Sequence, residues 1–152
     1  MKNIFNESDK NEILQRIEKL TPTTKALWGT MNVSQMLAHC ANAAKMPTGE
    51  IKPKRAPFPF NILGSLLKSK ILGEGPLRRN SPTANELRVS ISDPKDFEKE
   101  KANFIAAVKK LGEGGEKVAN AEQHPFFGKM TAKEWGRINY KHADHHLSQF
   151  GV

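Results

Sequence analysis

Apolar residues recur at helical spacing along most of the chain. Ile13, Leu14, Ile17 and Leu20 fall three or four residues apart among charged positions, which predicts a first helix from about Ser8 to Leu20, capped by Ser8 or Asn6. Val33, Met36, Leu37, Cys40, Ala41 and Ala44 predict a second, from an Asn32 cap to about Lys45. Phe97, Phe104, Ile105, Val108 and Leu111 stripe a third long helix, roughly Pro94 to Leu111, with Gly112, Gly114 and Gly115 to stop it. Thr131, with Glu134 three residues on, has the spacing of a capping box and opens the last helix. Along it Trp135, Ile138, His142, His146 and Gln149 share one stripe.

Between the second and third long helices the pattern breaks. Residues 47–60 carry four prolines and are incompatible with regular helix or a central strand. A short amphipathic helix follows, about Asn61 to Leu72, with Ile62, Leu63, Leu66, Leu67, Ile71 and Leu72 on one side. It is expected to pack across the other helices or to cover a pocket. Its Lys68 and Lys70 raise a membrane-surface helix as the alternative. Residues 73–84 read as a loop, Glu86–Ser92 as an extended connector, and 116–130 as irregular. The latter includes an aromatic segment around His124 that packs one side inward while His124 itself is expected at the surface. The fold class is therefore all-α: an antiparallel four-helix bundle with a long connection between the second and third helices and one short extra helix, in a single domain over residues 1–152.

Composition narrows the class. With 152 residues, 38% hydrophobic and 26% charged, the chain has enough apolar material for a core and is not compositionally disordered. No apolar run reaches the ~18 residues a membrane-spanning helix needs, and the N-terminus carries no apolar signal core. The single cysteine, Cys40, excludes an internal disulfide and reads as a small core residue. A cytoplasmic location is the expectation. The net charge of +8 is concentrated in residues 50–80, where Lys52, Lys54, Arg55, Lys68, Lys70, Arg78 and Arg79 face only Glu50 and Glu74. Without an accompanying recognition motif this argues for a solvated basic surface rather than a nucleic-acid interface. It also suits an anionic small-molecule substrate.

The chemistry concentrates at the C-terminal end. Of five histidines three are His142, His145 and His146. On a helix His142 and His146 differ by only about 40° and point toward the buried side; His145 lies at its edge and Asp144 nearly opposite. Two buried imidazoles need hydrogen-bond partners or a shared metal ion. His39 flanks the apolar stripe of the second helix, as a packing residue or as a third nitrogen. No Ser-His-Asp set, phosphate-binding glycine loop or carboxylate pair competes.

The segment Trp28-Gly-Thr-Met-Asn-Val-Ser-Gln-Met-Leu-Ala-His39-Cys, followed far downstream by His142-Ala-Asp-His-His146-Leu-Ser-Gln149, resembles the DinB-like superfamily. His124-Pro-Phe-Phe-Gly-Lys-Met-Thr and the Gln-Phe-Gly ending narrow the likeness to an uncharacterised bacterial branch, a domain of unknown function. The resemblance spans essentially the whole chain. It implies a four-helix bundle and a divalent metal held by three histidines, carried over onto His39, His142 and His146. Zinc is the first expectation, with nickel, iron or manganese as alternatives. Relatives of this kind include transferases that use a low-molecular-weight thiol and metal-dependent hydrolases, and a homodimer is a family-level expectation. A metal-dependent thiol transferase or hydrolase follows, with Gln149 and His145 as catalytic candidates and His124 as a further proton-shuttle candidate. The competing reading is a non-catalytic metal-binding or stress-related interaction protein.

Overall fold

The computed structural model describes residues 1–79, 81, 96–121 and 123–152. Among these are five α-helices and a two-stranded sheet. The first helix, α1, runs Glu7–Glu18 from Asn6, and it buries Ile13 and Ile17. Val33–Lys45 forms α2, whose start is held by a reciprocal pair: the Gln35 N–H donates to Asn32 Oδ1 and the Asn32 N–H donates to Gln35 Oε1, both at 2.9 Å. Nearly every residue of α2 is buried, polar Ser34 and Gln35 included, as expected of the helix at the centre of a core.

The chain then forms α3 (Phe60–Leu72) and, beyond the undescribed stretch, α4 (Phe97–Gly114). The expected extended connector at 86–92 lies outside the described residues. Asp96 caps α4 by accepting the Lys99 N–H at 2.7 Å. This helix outruns its predicted stop. Gly112 lies inside it at a close approach, since a Cβ there would sit 2.6 Å from the Lys10 side chain and 3.0 Å from the Ile4 carbonyl oxygen. The helix ends at Gly115, which has φ +59 and so suits glycine.

Between residues 123 and 129 the structure is more regular than the sequence suggests. Strands β1 (Gln123–His124) and β2 (Gly128–Lys129) pair antiparallel, with His124 opposite Gly128. The last helix, α5, runs Ala132–Gln149 from the expected Thr131–Glu134 capping box. Helix α2 packs on α4 and α5, and α1 packs on the same two. The core between them includes Ile17, Met36, Leu37, Phe104, Leu111, Trp135 and Leu147. Arg16 of α1 locks the end of α5, donating to Asp144 Oδ1 (2.6 Å), Ser148 Oγ (3.0 Å) and the Val152 carbonyl (2.8 Å).

Helix α3 departs most from expectation. Its apolar stripe is not buried: Leu72 alone of the helix is fully covered, and Ile62, Leu63, Leu66 and Leu67 are exposed. Ile71 and Leu72 at its C-terminal end pack on the core, and the rest of the side that touches the protein is small or polar. Lys68 Nζ donates to the Lys129 carbonyl at 2.7 Å and pairs with Glu134 at 2.8 Å, and Lys141 of α5 donates to the carbonyls of Ile71 and Gly73 at 2.6 and 2.7 Å. Lys141 thus caps the C-terminal end of α3, where helix carbonyls lack intrahelical partners.

Candidate metal centre

Helices α2 and α5 bring three imidazoles together. His39 projects from the buried middle of α2, and His142 and His146 from successive turns of α5. Ring centroids are 4.8 Å apart for His39–His142 and His39–His146, and 4.6 Å for His142–His146. One nitrogen from each lies within 4.8 Å of the others. His39 and His146 are buried and His142 is partly exposed, so the group sits in the helix interface with one member toward solvent.

The closest approach is His39 Nε2 to His142 Nε2, 3.0 Å. Two nitrogens bound to one tetrahedral ion at ~2.0–2.1 Å would stand about 3.3 Å apart. The existing separation is therefore near what a shared ion requires. Burial, then the neighbouring imidazoles, push His142 well below the ordinary histidine range, and burial takes His146 down to about 3. At neutral pH both rings are uncharged and offer lone pairs. The donor set fits a divalent ion.

His146 is also oriented. Its Nδ1 is 2.8 Å from Gln149 Oε1, while Gln149 Nε2 donates to the Trp28 carbonyl at 2.6 Å. The amide nitrogen being committed to a carbonyl, Oε1 must accept, so Nδ1 carries the proton and Nε2 of His146 is left as a lone-pair donor. Gln149 thus sets the tautomer of a metal-competent histidine. From the sequence Gln149, one turn beyond His146 on the same side, can hydrogen-bond either a bound ligand or a histidine N–H; the structure gives it the histidine and engages both ends of its amide within the protein.

Gly29 makes that contact possible. It has φ +83, and a Cβ on it would lie 2.4 Å from Gln149 Nε2. Sequence reading gave Gly29 no role. Its only signal was a glycine directly after Trp28 in a connector.

The other histidines fall outside the trio. His145 turns to the Trp28 ring (centroids 6.0 Å) and is hydrogen-bonded to the Leu77 backbone; burial lowers its pKa, and Arg79 adds to the effect against the opposing pull of Asp144. Arg79 itself stacks its guanidinium 3.9 Å over Trp28. His124, expected at the surface, is buried. Its Nδ1 accepts the N–H groups of Phe126 and Phe127 at 3.2 and 3.3 Å, its ring stacks on Phe127, and burial lowers its pKa to about 3. Asp144 is held by Arg16 on the far side of α5, as its helical angle predicts. Cys40 is buried, and burial drives its thiol pKa upward, so it is no nucleophile. An open cleft of about 560 Å³, lined by Lys2, Gly73, Leu77, Arg137, Tyr140 and Lys141 among others, lies along another flank of α5 and includes none of the three clustered histidines.

A model of the family described as "Protein of unknown function (DUF1569)" matches residues 4–151. No curated protein and no solved structure matches the chain.

Proposed function

The chain belongs to the DUF1569 family of proteins of unknown function, and from its histidine cluster we propose that it is a metal-dependent enzyme acting on a small molecule, with His39, His142 and His146 as the ligands. The observation that carries this reading is the convergence of three imidazoles within 4.8 Å, with His142 and His146 kept neutral by their surroundings. We further place the chain as a single-domain DinB-like four-helix bundle, to which the packing of α1, α2, α4 and α5 and the long α2–α4 connection carrying α3 lend support.

Three protein ligands leave coordination positions for a water or a substrate, whereas a structural site is ordinarily closed by a fourth. A divalent ion there, zinc first among the candidates, would supply Lewis acidity and lower the pKa of a bound water or thiol. The reaction class is transfer to or from a low-molecular-weight thiol, or hydrolysis. The chain's own part is to hold His142 and His146 neutral, to orient His146 through Gln149, and to wall the site with α2 and α5. Gln149 is a positioning residue in this scheme. His145 serves the Trp28–Leu77 wall, and its partly exposed ring, 5.1 Å from that of His146, leaves it the candidate proton carrier.

Metal analysis of the purified protein tests the premise: one equivalent of a divalent ion is expected, lost in His39→Ala and in His142→Ala. Retention of metal by both variants would sink the assignment. A screen of thiols with electrophilic acceptors, and of hydrolysable esters and amides, separates an enzyme from a non-catalytic metal-binding or ligand-sensing protein. Turnover that survives complete metal removal would rule out the scheme.

A further inference from the structure

Helix α3 faces the wrong way for a core helix. Gly64 seats it on the β1–β2 turn so closely that a Cβ would lie 2.3 Å from the Phe126 carbonyl oxygen. On the side turned from that contact, Ile62, Leu66, Leu63 and Leu67 follow one another round an arc of about 140° at helical geometry. Leu66 is 75% exposed, and Phe58, just before the helix, 77%. Phe60 at the helix start is half exposed as well. Six large apolar side chains on and just before this helix thus stand exposed, a concentration of the kind that single-chain surfaces rarely leave to water.

Charge identifies what covers it. From Ile51 to Gly73 the chain has five basic residues and no acidic one. Lys52, Arg55 and Lys70 are exposed, Lys70 within the apolar arc itself. A second copy docked by the same face would bring like charges together across a two-fold axis with no carboxylate in the segment to meet them. A helical partner protein would need a groove to enter, and α3 offers a convex ridge. An anionic bilayer asks for neither complementary shape nor paired carboxylates: the apolar side chains enter the acyl boundary while the cations meet phosphate headgroups. We infer that the α3 ridge, with the preceding Phe58, is a peripheral docking surface for anionic phospholipid membranes.

Flotation of the full chain with vesicles tests this. The protein is expected to float with an equal mixture of phosphatidylglycerol and phosphatidylcholine and to stay behind with phosphatidylcholine alone. Phe58→Glu combined with Leu66→Glu should cut vesicle partition by more than about tenfold, with far-UV circular dichroism unchanged because both side chains are solvent-facing. Arg55→Gln and Lys70→Gln should each weaken it about fivefold, and added salt should do the same to the native chain. Equal partition into both vesicle types, partition into neither, or indifference to the Phe58/Leu66 pair would overturn the inference. So would a dimer in sedimentation analysis that this pair abolishes in a protein that does not float, because the ridge would then belong to a second copy. An acidic helical peptide bound in preference to the vesicles would assign it to a protein partner instead.

Discussion

Gln149 shows how a residue outside the histidine trio orients one of its members. Its carbonyl oxygen meets His146 Nδ1 and its amide nitrogen meets the Trp28 carbonyl, so a single side chain fixes the His146 tautomer and ties the 21–32 connector to α5. Gln149→Leu should weaken metal affinity about 10–100-fold with the helical fold retained, as loss of a ligand's hydrogen-bond partner generally does; competition with a chelator of known affinity measures it. Gly29→Ala should give a similar loss plus a stability cost of about 1–3 kcal/mol, because a side chain there meets both a left-handed backbone and the Gln149 amide. His124 predicts a pH dependence. Its pKa is about 3 when folded against an ordinary 6.5, because burial opposes its charge. Between those values the unfolded chain binds the extra proton. The stability this group contributes is therefore complete above pH 6.5 and is lost as the pH falls toward 3, with a slope of at most about 1.4 kcal/mol per pH unit. His124→Asn keeps an acceptor for the Phe126 and Phe127 N–H groups and has nothing to titrate. Urea unfolding at pH 7 and pH 5 should show a smaller acid-induced loss in this variant than in the native protein.

Two helix starts were readable from local chemistry, whereas Asn6 precedes α1 without a side-chain cap and α4 starts at Phe97 rather than near Pro94. Thr131–Glu134 forms the reciprocal cap its spacing predicts and Asn32 caps α2 as expected, with Gln35 completing a second reciprocal pair; these are the two helices that hold the histidines. Thr131→Ala should cost about 1 kcal/mol through the lost cap and leave metal stoichiometry unchanged, since the site lies some three turns further along α5. Thermal unfolding together with metal analysis checks both halves. Where an end depends on a distant neighbour, the reading failed. Gly112 resembles a stop signal in sequence, yet it lies inside α4, and it is glycine because Lys10 and the Ile4 carbonyl leave no room there for a side chain. The short strands around His124 form from a two-residue pairing too brief to leave a periodic trace.

Across the molecule the histidine trio bridges α2 and α5, so an ion bound there would couple the two helices. Ligand that binds only the folded state stabilises it by mass action, by about 2.7 kcal/mol at a hundredfold excess over its dissociation constant. Divalent ion should therefore raise the melting temperature of the native protein in a concentration-dependent way, and a chelator should reverse the rise. His39→Ala should abolish the response. A melting temperature indifferent to every divalent ion tried would argue against the bridge.

What the chain determined by itself was local: which segments turn helical, where two of them begin, and that His142 and His146 share a face, since helical periodicity is written in spacings of three and four residues. The resemblance of two distant segments supplied His39 as their partner; no spacing could, because the residues are 103 positions apart. Tertiary structure alone decided that Gln149 would find the Trp28 carbonyl across 121 positions, that Gly29 would make room for it, that His124 would be buried, and that the apolar face of α3 would look outward. An amphipathic pattern records that a helix has an apolar side. Whether that side is covered depends on which elements compete for the core, and with α2 taking its centre, α3 reaches the core only through Ile71 and Leu72 and seats Gly64 on the hairpin.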